Sequence, residues 1–545
     1  MVARSREFDE LEQGAVARNW GGRFPVALGY PNDYALGMSN LGFQAIYRLL
    51  SREPQIAVER FFLESRIAKG GDRNELLTRE NRRPPAEAGL IIFSVSFEAD
   101  YVNLAALLMA SGLEPEAANR SDDDPPVLVG GVTSFINPLP LFPLVDGFLT
   151  GEGEEQIPFL TEILKESSPA PGRKALLERL REVPGFLPAG RPPEDRLELP
   201  RARVDSFVPR TFVADPASRV FPDTLLVEVN RGCPRGCRFC AAGFVYRPFR
   251  NRSLAVVKEA VREGVAEFGY RRVGLVGSAL GDYPELAELC AWLEDEGLEF
   301  SFSSLRVDTL DDALLEKLVA GGVKSITIAP EAGSERLRRA LRKDLGEELI
   351  LERAARVAVA GIGRLKLYFL IGLPHENDED LKGIVDLVFR IRETMLENRS
   401  RPRLNIALNV SINPFIPKPH TPLQWAGFAP LDELRRKQKF LFKELRRPGG
   451  IEVEMENPLA AAWQALLSRG GLETAAWILE LAGPGSGRAR RLKAVVGREA
   501  EALGPRSPGI PLPWAFLGQA TAPDYLWKEY CRYLEIMDRG GEKVD

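Results

Sequence analysis

Histidine is almost missing from this chain. Two occur in 545 residues, His375 and His420, so no imidazole ligand can come from anything built before His375. Cysteine is scarce as well. Of five, three fall at Cys233, Cys237 and Cys240, where an orderly set of disulfides would leave one thiol over. No run of about 18 apolar residues exists to span a bilayer. Leu90 to Phe97 is only strand length, and Phe135 to Leu149 is cut by Pro138, Pro140 and Pro143. The opening MVARSREFDELEQ is charged and lacks the apolar centre of a signal peptide. A cytoplasmic location is expected, and it suits free thiols. The net charge of −5 does not mark the whole protein as a nucleic-acid binder.

The composition, 45% apolar and 27% charged, is that of a globular protein. At ~100–200 residues per domain, the length calls for about three domains. Residues 1–165 show continuous apolar strands (Arg23 to Tyr30, Ala57 to Leu63, Leu90 to Phe97, Pro126 to Val132, Val145 to Thr150) alternating with helical patterns. That alternation predicts a parallel sheet covered on both faces, a Rossmann-like doubly wound domain. Residues 166–220 are rich in proline and charge and read as a linker. Residues 221–425 alternate strand and helix through six units, predicting an α/β partial barrel, (β/α)6, with an open side. Residues 426–545 read as a mostly helical domain.

The most informative stretch is Arg231 to Arg252, RGCPRGCRFCAAGFVYRPFRNR. It follows the alternating run Thr224 to Asn230, which reads as a strand. Three cysteines this close can clasp a metal or cluster. Gly232 and Gly236 let the backbone wrap closely. Iron–sulfur cubanes normally take four thiolates, so three would leave one iron open to a small molecule. A zinc knuckle or incidental buried thiols are the alternatives. Cys290 and Cys531 read as structural.

C-P-R-G-C-R-F-C resembles the signature of the radical S-adenosylmethionine (SAM) enzymes. The resemblance implies that Cys233, Cys237 and Cys240 hold a [4Fe-4S] cluster, that SAM chelates its open iron, and that Phe239 lies against the adenine. It further implies SAM contacts from residues at the carboxyl ends of the barrel strands, where such chemistry gathers: Gly281 and Asp282, Ser304 and Arg306, Glu331 and Gly372. The N-terminal run GYPNDYALGMSNLG…GGVTSFINPLPL…VDGFLTGEGEE resembles the N-terminal domain of cobalamin-binding-type radical SAM proteins. Cobalamin is a candidate cofactor, but with no histidine in this domain there is no His–cobalt bond to be made. His420, in a proline-stiffened loop, reads as structural, and His375 as an unpromising proton-transfer group.

The reaction so implied is reductive cleavage of SAM to a 5′-deoxyadenosyl radical, with methyl transfer if cobalamin binds. It requires a one-electron donor such as flavodoxin or ferredoxin. Arg231, Arg235, Arg238, Arg247, Arg250 and Arg252 crowd the cysteine loop. They read as a solvated basic surface, or as a site for an anionic substrate. The second option motivates an RNA- or ribosomal-component-modifying enzyme, methylthiotransferase-like, as an alternative. A non-catalytic iron–sulfur or cobalamin-responsive module is a third reading.

Overall fold

The computed structural model of the chain describes residues 12–68, 76–168, 170–214, 220–302, 305–483, 485 and 487–539. Six strands form the first sheet: β1 (Phe24–Tyr30), β2 (Ile56–Phe62), β3 (Leu90–Ser94), β4 (Val127–Gly130), β5 (Gly147–Leu149) and β6 (Phe186–Pro188), in the order β2-β1-β3-β4-β5-β6. The first five run parallel, and β6 adds an antiparallel edge. Side chains alternate between two apolar faces. Val26, Leu28, Val58 and Ile92 pack under helices Leu41–Ser51 and Gly153–Glu166. Ala27, Ile91, Phe93 and Val129 pack under helix Tyr101–Ala110. The sheet is therefore doubly wound, as its continuous apolar strands predict. Its order reverses between β1 and β3, and ligands in such sheets sit in the crevice at that point. β6 comes from the segment read as a linker. So does the two-residue β7 (Leu197–Glu198), which pairs with β16 (Leu517–Gly518) near the chain's end.

The barrel is made of two four-stranded sheets. One, in the order β11-β10-β8-β9, contains β8 (Thr224–Arg231), β9 (Arg250–Asn251), β10 (Arg272–Gly277) and β11 (Glu299–Phe302). The other, β12-β13-β14-β15, contains β12 (Ser325–Glu331), β13 (Arg364–Ile371), β14 (Ala407–Pro414) and β15 (Ile451–Met455). All pairings are parallel except the short β9 against β8. Among the described residues β11 and β12 are not paired, so the barrel is partial. The expected six parallel strands become seven. β15 lies in the region read as helical, because IEVEM puts charges at every second position and resembles a solvated edge.

The C-terminal region is otherwise helical: Pro458–Arg469, Thr474–Ala482, Arg488–Arg498 and Pro523–Asp538. It binds the other two parts together. Helix Thr474–Ala482 packs on Tyr101–Ala110. Asn137 donates to the carbonyls of Ser468 and Gly470 at 3.1 and 2.9 Å, and Gln519 donates to that of Phe135 at 2.6 Å. Among the described residues no helix is long and apolar enough to cross a membrane.

Candidate active site

The cysteine loop leaves the end of β8 through Gly232, whose φ is 81°. A Cβ there would stand 2.6 Å from the Tyr246 carbonyl oxygen, so only glycine fits. Cys237 is buried, and Cys233 and Cys240 are half-buried. Burial pushes the Cys233 thiol up. Burial, then the neighbouring thiol of Cys237, pushes Cys240 up to about 11. Thiols so buried as Cys233 and Cys240 resist ionising unless a strong positive charge sits beside them. Among the described residues no trio of His, Cys, Asp or Glu side chains converges on a single ion.

Charged residues from four strand ends ring the loop. Arg235, on the loop itself, clasps Asp282 and reaches Asp308 at 3.5 Å. Arg306 donates to both Asp308 oxygens at 2.9 and 3.1 Å and to the Lys343 carbonyl at 3.3 Å. Lys343 in turn pairs with Glu331 at 3.0 Å. Glu331 closes β12 in the left-handed region, with φ 69°, where the register of β12 against β13 shifts. A non-glycine residue held there is strained, and such strain concentrates at functional sites. Burial raises the Glu331 carboxyl, against the lowering pull of Lys343 and Arg306. The ring lies within electrostatic reach of the thiols: Asp282 and Arg306 act on Cys233, and Glu331 acts on Cys240.

The structure therefore gathers Asp282, Arg306 and Glu331 around the cysteines, as the sequence suggests. Ser304 lies outside the described residues. Phe239 packs, half-buried, beside Leu373 and Phe415. The two glycines have packing reasons of their own. A Cβ on Gly281 would meet Thr309 at 2.1 Å, and one on Gly372 would meet Leu434 at 2.8 Å. Sequence reasoning missed Asp308 and Lys343. Only the turn after helix Glu335–Ala340, with Arg342 and Asp344 at φ 56° and 47°, brings Lys343 to the site.

A further set of polar residues was missed because it is legible only in register. On β13 and β14 the residues Leu365, Leu367, Phe369, Leu408, Val410 and Ile412 are buried in the core. Their alternates face the barrel lumen. Paired across the strands they form rows: Thr327, Lys366, Asn409 and Glu452, then Tyr368, Ser411 and Glu454. Parallel strands are usually apolar on both faces. This polar wall, with Tyr368 38% exposed, makes the lumen a wet cleft.

The arginine crowd is not a solvated surface. Arg231 donates to Glu154 at 2.7 Å, to Glu152 at 2.9 Å and to Glu228 at 2.8 Å. Arg250 also binds Glu152, and Arg252, fully buried, binds Glu228 and the Phe207 carbonyl. Arg238 binds Glu529 of the last helix and the Ala340 carbonyl. Arg235 is held by Asp282, and Arg247 lies over the Phe244 ring and donates to the Gly243 carbonyl. Spacing alone hid this, because Gly151-Glu-Gly-Glu154 supplies the counter-charges from another sheet. The guanidiniums lock the first sheet, the cysteine loop and the C-terminal helix to one another.

Beside that lock lies a cavity of about 620 Å³. Its walls come from the reversal point of the first sheet (Leu28, Ser94, Gly130, Gly131) and from the half of the barrel that carries the cysteine loop (Glu228, Asn230, Arg231, Gly277). Leu41, Ile46, Phe97, Phe135 and Ile157 make much of it apolar.

His420 is structural. It is buried, its Nε2 lies 3.0 Å from the Ile136 carbonyl, and its backbone N–H donates to Gln424, which also accepts from Trp514. His375 is half-exposed, 3.3 Å from Asp538 on the surface.

Residues 227–388 match the family model for the radical SAM superfamily, and residues 42–188 match that for the N-terminal part of radical SAM proteins. An uncharacterised protein of Methanocaldococcus jannaschii is 30% identical over 447 residues, 82% of this chain and 88% of its own. The chain belongs to the radical SAM superfamily, enzymes whose cofactors are SAM and a [4Fe-4S] cluster. A tRNA-2-methylthio-N(6)-dimethylallyladenosine synthase of Carboxydothermus hydrogenoformans is 27% identical over 179 residues, 30% of this chain and 40% of that relative. Among solved structures, the radical SAM methyltransferase TsrM from Kitasatospora setae, with cobalamin and a [4Fe-4S] cluster bound, aligns with a TM-score of 0.50 at 14% identity. The alignment covers 88% of this chain and 100% of that one, a likeness of fold.

Proposed function

We propose that this radical SAM enzyme is a corrinoid-dependent methyltransferase acting on a polar substrate. The observation that carries the reading is the cavity at the reversal point of the first sheet. Its barrel wall, Asn230 and Arg231, runs straight into Gly232 and Cys233. A group bound there would neighbour the cluster loop. The apolar lining and the glycine-paved edge suit a flat macrocycle, and the absence of histidine before His375 means that no imidazole of the first sheet ligates the metal. Leu28, Phe97, Phe135 and Gly130 are the residues that would hold it.

Cys233, Cys237 and Cys240 are the cluster ligands. Bound there, the cluster supplies the electron that splits SAM, and a corrinoid supplies methyl transfer. The chain's own residues bind and orient. SAM carries an ammonium, a carboxylate and a sulfonium, and the ring of Asp282, Arg306, Glu331 and Lys343 offers both signs. Phe239 offers an apolar face to the adenine. The lumen wall of Lys366, Tyr368, Ser411 and Glu454 supports a polar substrate. The arginines that had suggested RNA are engaged internally, and the methylthio-synthase likeness spans 30% of the chain.

The test is anaerobic reconstitution with iron, sulfide and hydroxocobalamin, followed by a visible spectrum of the desalted protein. Retained corrinoid bands beside cluster absorption are expected. At Gly130 the nearest atom to an added Cβ is 3.8 Å away, so Gly130→Phe should fill the cavity and expel the corrinoid while sparing the cluster. Cluster bands without corrinoid in the wild type would refute the methyltransferase reading.

A further inference from the structure

Reductive cleavage takes one electron from outside the chain, and the surface behind the cysteine loop has the features of an entry point. Phe244 lies four residues beyond Cys240, fully buried, in an aromatic group with Trp425, Trp527 and Tyr530. Trp425 and Trp527 have ring centroids 5.1 Å apart, Trp425 and Tyr530 6.0 Å, and Trp527 and Tyr530 5.5 Å. Trp527 and Tyr525 form the half-exposed outer end of this group on helix Pro523–Asp538. Arg342 lies directly over the loop: a Cβ on Gly236, the residue before Cys237, would stand 2.8 Å from its guanidinium. It donates to the Tyr525 hydroxyl at 2.8 Å and remains 43% exposed.

The charge around this aromatic group is positive. Tyr525, Lys528 and Arg532 share one helix face at i, i+3 and i+7, and Lys528 and Arg532 are exposed. Arg247 lies over Phe244, and Arg339 is exposed on the neighbouring helix. A single buried carboxylate, Glu529, is shared by Arg238, Arg342 and Arg532. Asp344, Asp524, Glu335 and Glu535, the last of them three residues beyond Arg532 on the same helix, are further carboxylates close by. Six cations thus meet five carboxylates on a chain whose net charge is −5. A second copy of so acidic a chain has little charge reason to choose this face beyond the patch itself, whereas an acidic carrier is drawn to it and turned toward the loop.

We propose that this face docks an acidic one-electron carrier protein, with a reduced flavin or iron–sulfur group, which delivers its electron past Trp527, Trp425 and Phe244 to the cluster held by Cys233, Cys237 and Cys240. The carrier loses one electron and the cluster gains one. No bond forms or breaks and no proton moves in this step. The inference rests on the cluster reading above and is independent of the corrinoid.

The test uses a bacterial flavodoxin as the probe and the reconstituted full chain. Binding is measured by titration calorimetry at about 20 and about 200 mM salt, around and below the screening length that separates steered from screened contacts. Binding should weaken about tenfold or more with salt, and again about tenfold in Lys528→Glu and in Lys528→Glu/Arg532→Glu. Circular dichroism and cluster absorption should not change. SAM cleavage driven by flavodoxin should fall with the binding, while cleavage driven by dithionite should hold. Equal binding by wild type and both variants, no flavodoxin binding at low salt, or a patch found buried in a dimer of this chain would each overturn the proposal. A protein that binds flavodoxin through this patch but cleaves no SAM with dithionite would instead overturn the reading of the reaction.

Discussion

With two histidines in the whole chain, the imidazole part of this protein's pH response between 7 and 5 rests on few groups. His420 is one. Burial, outweighing its contact with the Ile136 carbonyl, pulls its pKa down to about 3 from the ordinary 6.5. The unfolded chain takes up a proton there below about pH 6.5, and the folded chain does not until about pH 3. Stability from this group is therefore intact above pH 6.5 and is lost as the pH falls toward 3. Between pH 7 and 5 the loss is about 2 kcal/mol, from the ~1.4 kcal/mol carried by each unit. Asp100 works in the opposite sense. It is buried, and its pKa is raised to about 6 by that burial, against the lowering effect of the Asn32 and Asn103 amides. Its stabilising protonation is complete below the unfolded value near 4 and is lost as pH rises through about 6. On acidification to pH 5 it returns about 1 kcal/mol, by the same linkage. The two contributions largely cancel in the wild type. The assay is histidine-labelled ¹³C NMR, which gives two ring signals, one of which vanishes in His420→Gln. The vanishing signal is thereby assigned to His420, and in the wild type it is followed from pH 8 to 5, where it should not move. Urea unfolding at pH 7 and 5 should show a steeper acid loss for Asp100→Asn and a gain on acidification for His420→Gln. A His420 signal titrating inside that window would refute the argument that burial keeps this imidazole neutral.

Glu152 accepts from Arg231 and Arg250 in a buried cluster, and their charges hold its carboxyl below the usual range against the opposing effect of burial. Glu152→Ala leaves both guanidiniums short of a partner and should cost about 3–5 kcal/mol, read as a lower urea midpoint; a loss under about 1 kcal/mol would show that Glu154 and Glu228 suffice. Gly232→Ala puts a side chain into the left-handed region at a cost of about 1–2 kcal/mol before any clash. It also drives a methyl against the Tyr246 carbonyl, so the variant should stay folded by circular dichroism yet reconstitute with much weaker cluster absorption. Cys237→Ala should abolish 5′-deoxyadenosine formation, measured by chromatography of the quenched reaction. Lys437 and Glu376 pair at 2.6 Å with both side chains 1% exposed. Lys437→Met should therefore cost more than Lys437→Met/Glu376→Leu, because a lone buried charge is worse than none; the reverse order in thermal unfolding would refute that.

The parts of this molecule that were legible beforehand are those written in local pattern. A continuous apolar strand such as Leu90 to Ser94 declares a buried parallel sheet, and C-x3-C-x2-C after a strand declares a loop of clustered thiols, because each signal is complete within a few residues. What sequence hid is written across the fold. The six arginines near the cysteines look alike along the chain. Their meaning is fixed by Glu152 and Glu154 from one sheet, Asp282 and Asp308 from strand ends of the barrel, and Glu529 from the last helix. Charge counted along the sequence therefore suggested a surface where the fold has made internal ion pairs. β15 was missed for a related reason: Glu452 and Glu454 face a wet lumen, so a strand that belongs to the barrel wall carries the alternation of a solvated edge. The same two facts bear on function. A basic loop neutralised from within has little left for a phosphate backbone, while a barrel whose wall offers lysine, tyrosine, serine and glutamate in register has its free hydrogen-bonding capacity facing the cavity. The polar groups that remain for a substrate are in the lumen, and the cations that remain for a partner are on the far side of the loop, around Arg342 and Lys528.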